Sequence, residues 1–324
     1  MTRPQASIII TTHNRPHLLL RAIQSARESG TNAEIVVVDD ASSDETAAVC
    51  NSLGDKINYV RVDRNQGVAG ARNIGIVTSR GEYLTFLDDD DTRLPGSLDM
   101  QVAKLEAAPE AAFIYAQAIV GDQSGRPGRR VSPMDCPEGD IFLKLLTRNF
   151  IPCGTVVMRR SCLSRAGLLD NSIAGPDDWD LWIRLSELFP VIAVAEPVII
   201  WRQSNPSSGQ GTSQTARLVS MGVRQFQKWL VLPRMSAVSP SVKRLLWRSF
   251  SERMAERLLW DSFRALARAR LIQVGKNLAT IAMLHPLVIP SVIKNRLFGE
   301  QRAELLSMIR TALSGTTSDS PFPN

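Results

Sequence analysis

Short runs of β-branched residues alternate with segments of helical spacing over the first quarter of the chain, and this alternation constrains the fold more than any other feature. The pattern predicts four strands and three intervening helices, in the order 7–11, 18–25, 34–38, 44–51, 57–62, 67–79 and 83–87. Apolar strands that alternate with helices are typical of a mostly parallel sheet flanked by helices on both faces. The sequence therefore predicts an α/β fold with a Rossmann-like arrangement.

The chain is long enough for one large domain and a smaller appendage. It has 324 residues, and a single hydrophobic core stops growing at roughly 250–300 residues. We expect an α/β domain at 1–215 and a helical extension at 216–315, where apolar residues recur with helical spacing. Residues 316–324 are rich in Ser, Thr and Pro, and we expect a flexible tail there.

Neither the cysteines nor the first apolar run indicates export. Cys50, Cys136, Cys153 and Cys162 form no CxxC pair, so neither a zinc site nor a disulfide scaffold is predicted. The apolar run at 8–10 is followed at once by polar residues and is too short for the core of a signal peptide. We expect a protein of the reducing cytoplasm.

The net charge of +6 is unevenly distributed. Residues 215–324 hold 17 Lys and Arg against 6 Asp and Glu, whereas the rest of the chain holds 21 against 26. The predicted helices of this basic part carry a series of arginines, namely Arg244, Arg248, Arg253, Arg257, Arg264 and Arg268. Two interpretations stay open: a solvated basic face, or a peripheral contact with anionic lipid headgroups at the inner face of the cell membrane. No nucleic-acid partner is expected, because the sequence lacks a recognisable DNA- or RNA-binding module.

Four consecutive aspartates, Asp88 to Asp91, follow the last of these predicted strands. Like charges this close repel one another unless a cation neutralises them. Mg²⁺ and Mn²⁺ prefer carboxylate oxygens and often complete their coordination with substrate phosphates. The alternative is that one aspartate caps the helix expected near Pro95 and the others are solvated.

A second acidic pair, Asp39 and Asp40, ends the second predicted strand. Ligands of such sheets bind beyond the carboxyl ends of the strands, so these carboxylates are placed to accept hydrogen bonds from a base or ribose. The segment 64–73 combines small residues with Arg72, whose guanidinium could pair with diphosphate charge. It is neither a dinucleotide fingerprint nor a Walker motif.

Four motifs in a fixed order carry a resemblance to a known family. They are Ser-Ile-Ile-Ile-Thr-Thr-His-Asn-Arg at 7–15, Val-Asp-Asp-Ala-Ser-Ser-Asp at 38–44, Asn-Gln-Gly-Val-Ala-Gly-Ala-Arg-Asn at 65–73 and Gly-Glu-Tyr-Leu-Thr-Phe-Leu-Asp-Asp-Asp-Asp at 81–91. Together they resemble the inverting glycosyltransferase family 2, which has the GT-A fold. The resemblance is close over residues 5–100 and looser to about residue 205. It implies that 1–100 bind a nucleotide-sugar and that 101–215 form the acceptor side.

The resemblance also implies roles for the residues of the first motifs. Thr11 and Asn14 would line the pocket for base and ribose, and Arg72 would lie near the donor. Asp39 and Asp40 would contact the nucleotide base.

The aspartate cluster matches the D-x-D-D pattern of the family. Asp88, Asp90 and Asp91 would hold Mn²⁺ or Mg²⁺, with Asp90 also facing the ribose. Asp89 occupies the variable position.

In the second half of the domain, Gly-Pro-Asp-Asp-Trp-Asp-Leu-Trp-Ile-Arg-Leu at 175–185 resembles the acidic pair and helix of the family. Asp178 would be the general base, and Asp177 stands where Glu is usual. The alternative is that one of the two aspartates only caps the helix.

Four residues are candidates for diphosphate or acceptor contacts, namely Asp177, Gly154, Thr155 and Arg202. Gly154 and Thr155 lie in a segment that resembles the one before the acceptor site of the family, although such residues also form ordinary turns and buried strands. Arg202 could neutralise phosphate, but the family's usual histidine is replaced here by Ser204.

The resemblance implies inverting transfer of a hexose-type sugar, from a UDP- or dTDP-sugar to a hydroxyl of a glycan, a lipid-linked saccharide or a small acceptor. Such an activity belongs to polysaccharide biosynthesis of the cell envelope.

Two alternatives stay open. A nucleotidyltransferase would want a Gly-rich phosphate loop after the first strand, where His13, Asn14 and Arg15 stand instead. A catalytically silent nucleotide-sugar-binding or scaffold protein, recruited to a membrane-associated assembly, would account for the missing histidine.

Overall fold

The computed structural model of the protein describes residues 3–173, 175–203, 215–267 and 269–284. The chain divides into two compact units, Met1–Gln210 and Gly211–Asn324, whereas the sequence placed the boundary after residue 215. The predicted helical segment 285–315, the predicted tail 316–324, the residue Arg268 and the side chain of Arg264 lie outside what the structure describes.

The strands of the first unit form one nine-stranded sheet. In chain order they are β1 (Ala6–Thr12), β2 (Ala33–Asp39), β3 (Asn58–Arg61), β4 (Tyr83–Asp88), β5 (Thr92–Arg93), β6 (Phe113–Gly121), β7 (Pro127–Ser132), β8 (Val157–Arg159) and β9 (Ile192–Arg202). Their order across the sheet is β3-β2-β1-β4-β8-β6-β9-β5, and β7 pairs with β6.

Helices flank this sheet and continue through the second unit. In chain order they are α1 (Pro16–Ser29), α2 (Thr46–Leu53), α3 (Gly67–Thr78), α4 (Ser97–Glu106), α5 (Phe142–Leu145), α6 (Leu163–Ala166), α7 (Asp177–Leu188), α8 (Thr215–Trp229), α9 (Pro240–Ala267) and α10 (Leu271–Leu284). Single 3₁₀ turns lie at Gly54–Lys56, Cys153–Thr155, Arg160–Cys162 and Pro233–Ala237.

The parallel half of the sheet comprises β3, β2, β1 and β4. Its central strand β1 is covered on both faces, because Ile8, Ile9 and Ile10 are almost wholly buried. A strand buried on both faces reads as a continuous apolar run, which is the pattern seen in the sequence. The α/β prediction is confirmed.

The other half of the sheet is mixed. β8 runs antiparallel to both β4 and β6, and β6 runs antiparallel to β7 but parallel to β9. The parallel pattern expected from the first quarter of the chain therefore holds for β3-β2-β1-β4 and not for the remaining strands. Parallel neighbours need a long crossover connection, whereas β6 and β7 are joined by a short hairpin.

Local hydrogen bonds and a proline place the starts of α1 and α2 more closely than apolar spacing does. The Asp44 carboxylate accepts hydrogen bonds from the Thr46 backbone N–H at 3.0 Å and from the Thr46 hydroxyl. Asp44 therefore lies outside α2, which begins at Thr46 rather than at the predicted residue 44. α1 has Pro16 in its first turn, where the missing N–H costs no hydrogen bond.

The described part of the second unit is helical. Ala255, Leu258 and Leu259 of α9 pack with Val219 of α8 and Ile281 of α10 into a small apolar cluster. Phe226, Trp229, Trp247 and Phe250 form a second, aromatic group with ring centroids 4.7–6.3 Å apart. Within the described ranges no helix has the length and hydropathy needed to cross a lipid bilayer.

Candidate active site

The strand register brings three polar motifs to one edge of the sheet. β1 lies between β2 and β4, so that Thr12 pairs with Asp39 on one side and Thr11 pairs with Asp88 on the other. All three strands are parallel, and their carboxyl ends therefore meet. Ligands of α/β sheets bind at this position.

Asp39 is held inside the protein by its own neighbours. It is fully buried, and its carboxylate accepts hydrogen bonds from the Tyr59 hydroxyl at 2.8 Å and from the Ser42 N–H at 2.9 Å. Asp40 accepts a hydrogen bond from the Gln66 N–H at 2.6 Å, and burial raises the pKa of its carboxyl. The structure thus places Asp40 beside the start of α3, whereas Asp39 holds the turn at Ser42 and the side chain of Tyr59 in place.

Asn14 shapes the turn after β1. Its φ of 56° is a left-handed conformation that asparagine tolerates. Its side-chain oxygen accepts a hydrogen bond from the Ser43 N–H at 2.8 Å, and its own N–H donates to the Ser42 hydroxyl at 2.9 Å. Asn14 therefore joins the turn after β1 to the turn after β2. Thr11 lies next to it at the partly exposed end of β1.

Asp89, which the family pattern leaves variable, is a buried anchor here. Its carboxylate accepts hydrogen bonds from the Thr12 hydroxyl at 2.7 Å and from the Arg15 guanidinium at 3.2 Å. Burial raises the pKa of Asp89 to about 6, and the Arg15 charge and the Thr12 hydrogen bond oppose that rise. Asp89 thus connects the turn after β1 to the aspartate cluster.

Asp90 and Asp91 are bound to the last residue of β9. The Arg202 guanidinium donates to the Asp90 carboxylate at 3.0 Å, and the Arg202 N–H donates to the Asp91 carboxylate at 2.9 Å. Burial raises the pKa of Asp91 well above its usual range, and the charges of Asp88 and Asp90 raise it further. The structure therefore places Arg202 on two aspartates of the cluster.

The cluster has the features of a cation site with few protein ligands. Among the described residues, no three His, Cys, Asp or Glu side chains are arranged as a cage for a metal ion. Asp88 is the open member, with 43% of its side chain exposed, and Asp91 is crowded by like charges. A Cβ at Gly154 would lie 3.9 Å from Asp91 Oδ2, so the glycine leaves space there. Mg²⁺ and Mn²⁺ commonly take one or two carboxylates and substrate phosphates, which this arrangement fits.

Arg72 bridges the aspartate cluster to the acidic pair of the second half. Its two terminal nitrogens donate to Asp88 Oδ1 at 2.8 Å and to Asp177 Oδ2 at 3.0 Å. The guanidinium is buried and lies 5.2 Å from the centre of the Phe86 ring. Arg72 therefore lies between the aspartate cluster and the start of α7, and its charge is shared between two protein carboxylates.

Asp178 lies in the first turn of α7, beside Asp177. It is partly exposed, and its carboxylate accepts a hydrogen bond from the Trp179 N–H at 2.6 Å. Desolvation and the neighbouring Asp177 charge raise the pKa of Asp178 to about 7, whereas Arg72 lowers it. A carboxylate with this pKa takes up a proton readily near neutral pH.

A buried arginine supports the segment that contains Gly154 and Thr155. Arg93 is 1% exposed, and one of its nitrogens donates to the Gly154 carbonyl and to the Thr85 hydroxyl, both at 3.1 Å. A second nitrogen donates to Gln101, whose side-chain amide donates to the Thr155 carbonyl at 2.7 Å. Gly154 and Thr155 are buried, with Gly154 beside Asp91. The network thus fixes this turn against the cluster.

Residues 7–165 match the sequence model described as Glycosyl transferase family 2. WcaA of Escherichia coli (strain K12), whose name ties it to colanic acid biosynthesis, is 31% identical over 201 residues, which are 60% of this chain and 68% of that protein. The chain belongs to glycosyltransferase family 2. An uncharacterized glycosyltransferase of Rickettsia prowazekii (strain Madrid E) is 32% identical over 189 residues, which are 56% of this chain and 58% of that protein.

The fold of this family 2 chain is also found in solved structures. S. aureus TarS 1-349, solved with UDP-GlcNAc, superposes with a TM-score of 0.63 at 14% identity, over 96% of this chain and 91% of that one. The mannosyltransferase PcManGT of Pyrobaculum calidifontis, solved with GDP-Man and Mn²⁺, gives a TM-score of 0.56 at 17% identity, over 98% and 89%. At these identities the likeness concerns the fold alone, and it confirms the expected GT-A-like architecture.

The family 2 chain spans about a third to three fifths of the length of several curated Rickettsia relatives. The comparisons therefore establish membership of the family, and the activity of the whole protein belongs to the proposal below. The donor, the acceptor and the roles of individual residues are matters of proposal.

Two arginines near the site had no predicted role. Arg15 and Arg93 were assigned no role, although Arg15 neutralises Asp89 and Arg93 supports Gly154. Four adjacent aspartates require opposite charge nearby, so the arginines at strand ends were the available signal. Arg93 carried no such signal, because the groups that accept its hydrogen bonds are neutral and one of them, the Gly154 carbonyl, is 61 residues away.

Proposed function

We propose that the chain is an inverting glycosyltransferase, which moves a sugar from a nucleotide-diphosphate sugar to an acceptor hydroxyl. The observation that supports the proposal is the position of Arg72. It links Asp88, at the sheet edge where the donor would bind, to Asp177 in the first turn of α7, which also holds Asp178. Donor phosphates and an acceptor hydroxyl would thus meet between a charged cluster and a carboxylate whose pKa is about 7.

The nucleotide would occupy the carboxyl ends of β1 and β2. Thr11 and Asn14 would line the pocket for base and ribose, and Asp40, supported by Asp39, would accept hydrogen bonds from the base. Asp90 would face the ribose. A UDP- or dTDP-sugar is the proposed donor, and its sugar would lie toward Gly154 and Thr155.

Mn²⁺ or Mg²⁺ is the proposed cofactor. Asp88 and Asp91 would hold it, with Asp90 adjacent, and phosphate oxygens of the donor would complete its coordination. The bound ion would neutralise charge on the diphosphate leaving group. Arg202 lies against the same aspartates and would add positive charge near the diphosphate.

The proton of the acceptor hydroxyl would go to Asp178. The carboxylate is partly exposed at the start of α7, and Arg72 lowers its pKa, which keeps a fraction of it ionised at neutral pH. The hydroxyl oxygen then forms a bond to the anomeric carbon as the bond to the diphosphate breaks. Asp177 holds Arg72 in place for this step.

The acceptor is proposed to be a glycan, a lipid-linked saccharide or a small hydroxyl compound of polysaccharide biosynthesis. The name of WcaA, which refers to colanic acid biosynthesis, supports this class of acceptor.

A cytoplasmic protein with a peripheral contact at the inner face of the cell membrane would suit such an acceptor. The basic residues of the second unit support that location.

The test is a thermal-shift panel of UDP-, dTDP- and GDP-sugars with and without Mn²⁺. A ligand that binds only the folded protein raises the free energy of unfolding, by about 2.7 kcal/mol when the free ligand concentration is one hundred times Kd. The melting temperature rises as a result. We expect a metal-dependent rise for one donor, its loss in Asp91→Ala, and no change in the control Asp55→Ala, which removes an exposed acid.

Release of nucleotide diphosphate in the presence and absence of acceptor completes the experiment. Turnover of the donor that gives the shift supports the transferase. A donor that binds with metal but is neither transferred nor hydrolysed would establish the silent binding protein instead.

A further inference from the structure

Helix α10 turns an apolar face toward solvent. Leu271, Ile272, Leu278 and Met283 are 68%, 78%, 39% and 80% exposed. At about 100° per residue these four side chains fall within an arc of roughly 140°, together with three small residues of the helix. Those are Gly275, Ala279 and Ala282, all exposed. Surface helices normally place charged and polar residues on this side.

The opposite face of α10 is already used for folding. Ile281 is fully buried in the apolar cluster of the second unit, and Asn277 is buried with its amide donating to the Asp261 carboxylate at 2.9 Å. The helix is therefore fixed in rotation by its inner face. The exposed apolar residues cannot turn inward without breaking these contacts.

The net charge of the second unit, together with the two basic residues next to this face, indicates what the face contacts. Residues 215–284 hold 13 Lys and Arg against 3 Asp and Glu. Arg270 precedes α10 directly, and Lys276 borders its apolar arc; both are exposed. An apolar helix face with basic neighbours is the pattern of a helix that lies in the interface of an anionic membrane.

We propose that the exposed face of α10 docks the protein on an anionic lipid bilayer. Leu271, Ile272 and Met283 would enter the boundary between headgroups and acyl chains, and Arg270 and Lys276 would bind lipid phosphates. The proposal rests on the peripheral location given under the proposed function, and is independent of the sugar donor and of the catalytic residues. A second copy of the chain, or residues 285–324 of the same chain, are the competing occupants of the face.

The experiment is co-sedimentation of the full chain with vesicles of equal parts phosphatidylglycerol and phosphatidylcholine, and with vesicles of phosphatidylcholine alone. We expect binding to the anionic vesicles and at least tenfold weaker binding to the neutral ones. Ile272→Glu and Met283→Glu should each weaken binding about tenfold or more, because each places a carboxylate at the inserted face. Val231→Glu is the matched control, since Val231 is 82% exposed in the same unit but outside α10.

Melting temperature and molar mass separate the competing occupants. The proposal predicts that Ile272→Glu melts within a degree of wild type and that both are equally active on a water-soluble acceptor. A melting temperature lowered by several degrees would mean that the chain's own residues cover the face. A wild-type dimer that becomes a monomer in Ile272→Glu would mean a second copy does. Failure of the wild type to bind anionic vesicles would also overturn the proposal, whatever its transferase activity.

Discussion

The guanidinium of Arg72 donates a hydrogen bond of 3.0 Å to the carboxylate of Asp177, a residue 105 positions later in the chain. The same guanidinium contacts Asp88, so one buried side chain joins the end of β4 to the start of α7. A buried charge is tolerated only when it is paired. Arg72 and Asp177 therefore depend on each other, and the proposed base Asp178 is adjacent to this pair.

Loss of Arg72 should destabilise the protein. Arg72→Met leaves the buried Asp177 carboxylate without its partner, and breaking a buried pair in this way costs about 3–5 kcal/mol. Arg72→Lys should cost less, because it keeps the charge but cannot reach both carboxylates with a planar fork. The measurement is thermal unfolding, with Arg27→Met as the control on an exposed arginine of α1. Equal melting temperatures for Arg72→Met and Arg27→Met would contradict the bridge.

Replacement of Asp178 by Asn should slow transfer strongly while leaving donor binding intact. A general base contributes typically about 10²–10⁴-fold, so kcat should fall by a factor in this range. The dissociation constant of the donor should change less than threefold, because Asp178 is proposed to contact the acceptor. Glu187→Gln, in the same helix, should keep near-wild-type activity. A kcat for Asp178→Asn above a tenth of wild type would rule Asp178 out as the base.

The pH profile of kcat/KM should have an acid limb set by Asp178. The base acts when ionised, and its pKa is about 7. Activity should therefore fall tenfold per pH unit below that value and level off above it. In Arg72→Lys, a weaker interaction with Asp178 should move the limb to higher pH, because the Arg72 charge lowers this pKa. A limb that stays below pH 5 would assign the titration to another group.

The pH dependence of stability should also reflect Asp178. Its contribution to stability should fall as the pH rises, whereas activity should increase. Its folded pKa of about 7 lies above the ordinary value of 3.8, so the folded state binds the proton more tightly than the unfolded chain does. That contribution is complete below about pH 4 and is lost as the pH rises through 7. Asp178→Asn should therefore melt higher than wild type at pH 8, with a smaller difference at pH 4. Circular dichroism melts at both pH values test this, and an Asn variant that melts lower at pH 8 would contradict it.

Gly81 should not tolerate a side chain. A Cβ at this position would lie 2.5 Å from the backbone carbon of Ala6 and 2.5 Å from the Ser7 hydroxyl. Gly81→Ala should cost about 1–3 kcal/mol by overpacking. Gly275→Ala is the control, because no atom lies within 4 Å of its Cβ position and alanine favours the helix. Thermal unfolding should show a lower midpoint for the first variant only.

The local pattern of the sequence sufficed for the parallel half of the sheet. β1, β2 and β4 differ from the predicted strands by at most one residue at each end, because a strand buried on both faces leaves an unbroken apolar run. The motifs at the strand ends also predicted where polar residues would gather. Adjacent parallel strands end at the same edge, so this convergence follows from order alone.

The strands in the second half of the sheet and their directions could not be predicted from the local sequence pattern. β8 has three residues and β5 has two, and strands this short carry no periodicity. Their direction is decided by which neighbours they meet in space. The roles of Asp89 and Arg93 also depend on contacts between residues far apart in the sequence, and they were therefore missed. The hydrogen bond from Thr12 to Asp89 spans 77 residues, and that from Arg93 to Gly154 spans 61.

The sequence by itself determined the α/β class, the parallel core and the carboxylates of the candidate site, because each depends on the chemistry and spacing of residues close together in the chain. Only the tertiary structure decided which charges neutralise one another. Arg72 of α3 lies within 3.0 Å of both Asp88, at the end of β4, and Asp177, at the start of α7, although the three residues are far apart in the chain. Ion pairs act through distance in space, and that distance is set by the packing of elements far apart in the sequence.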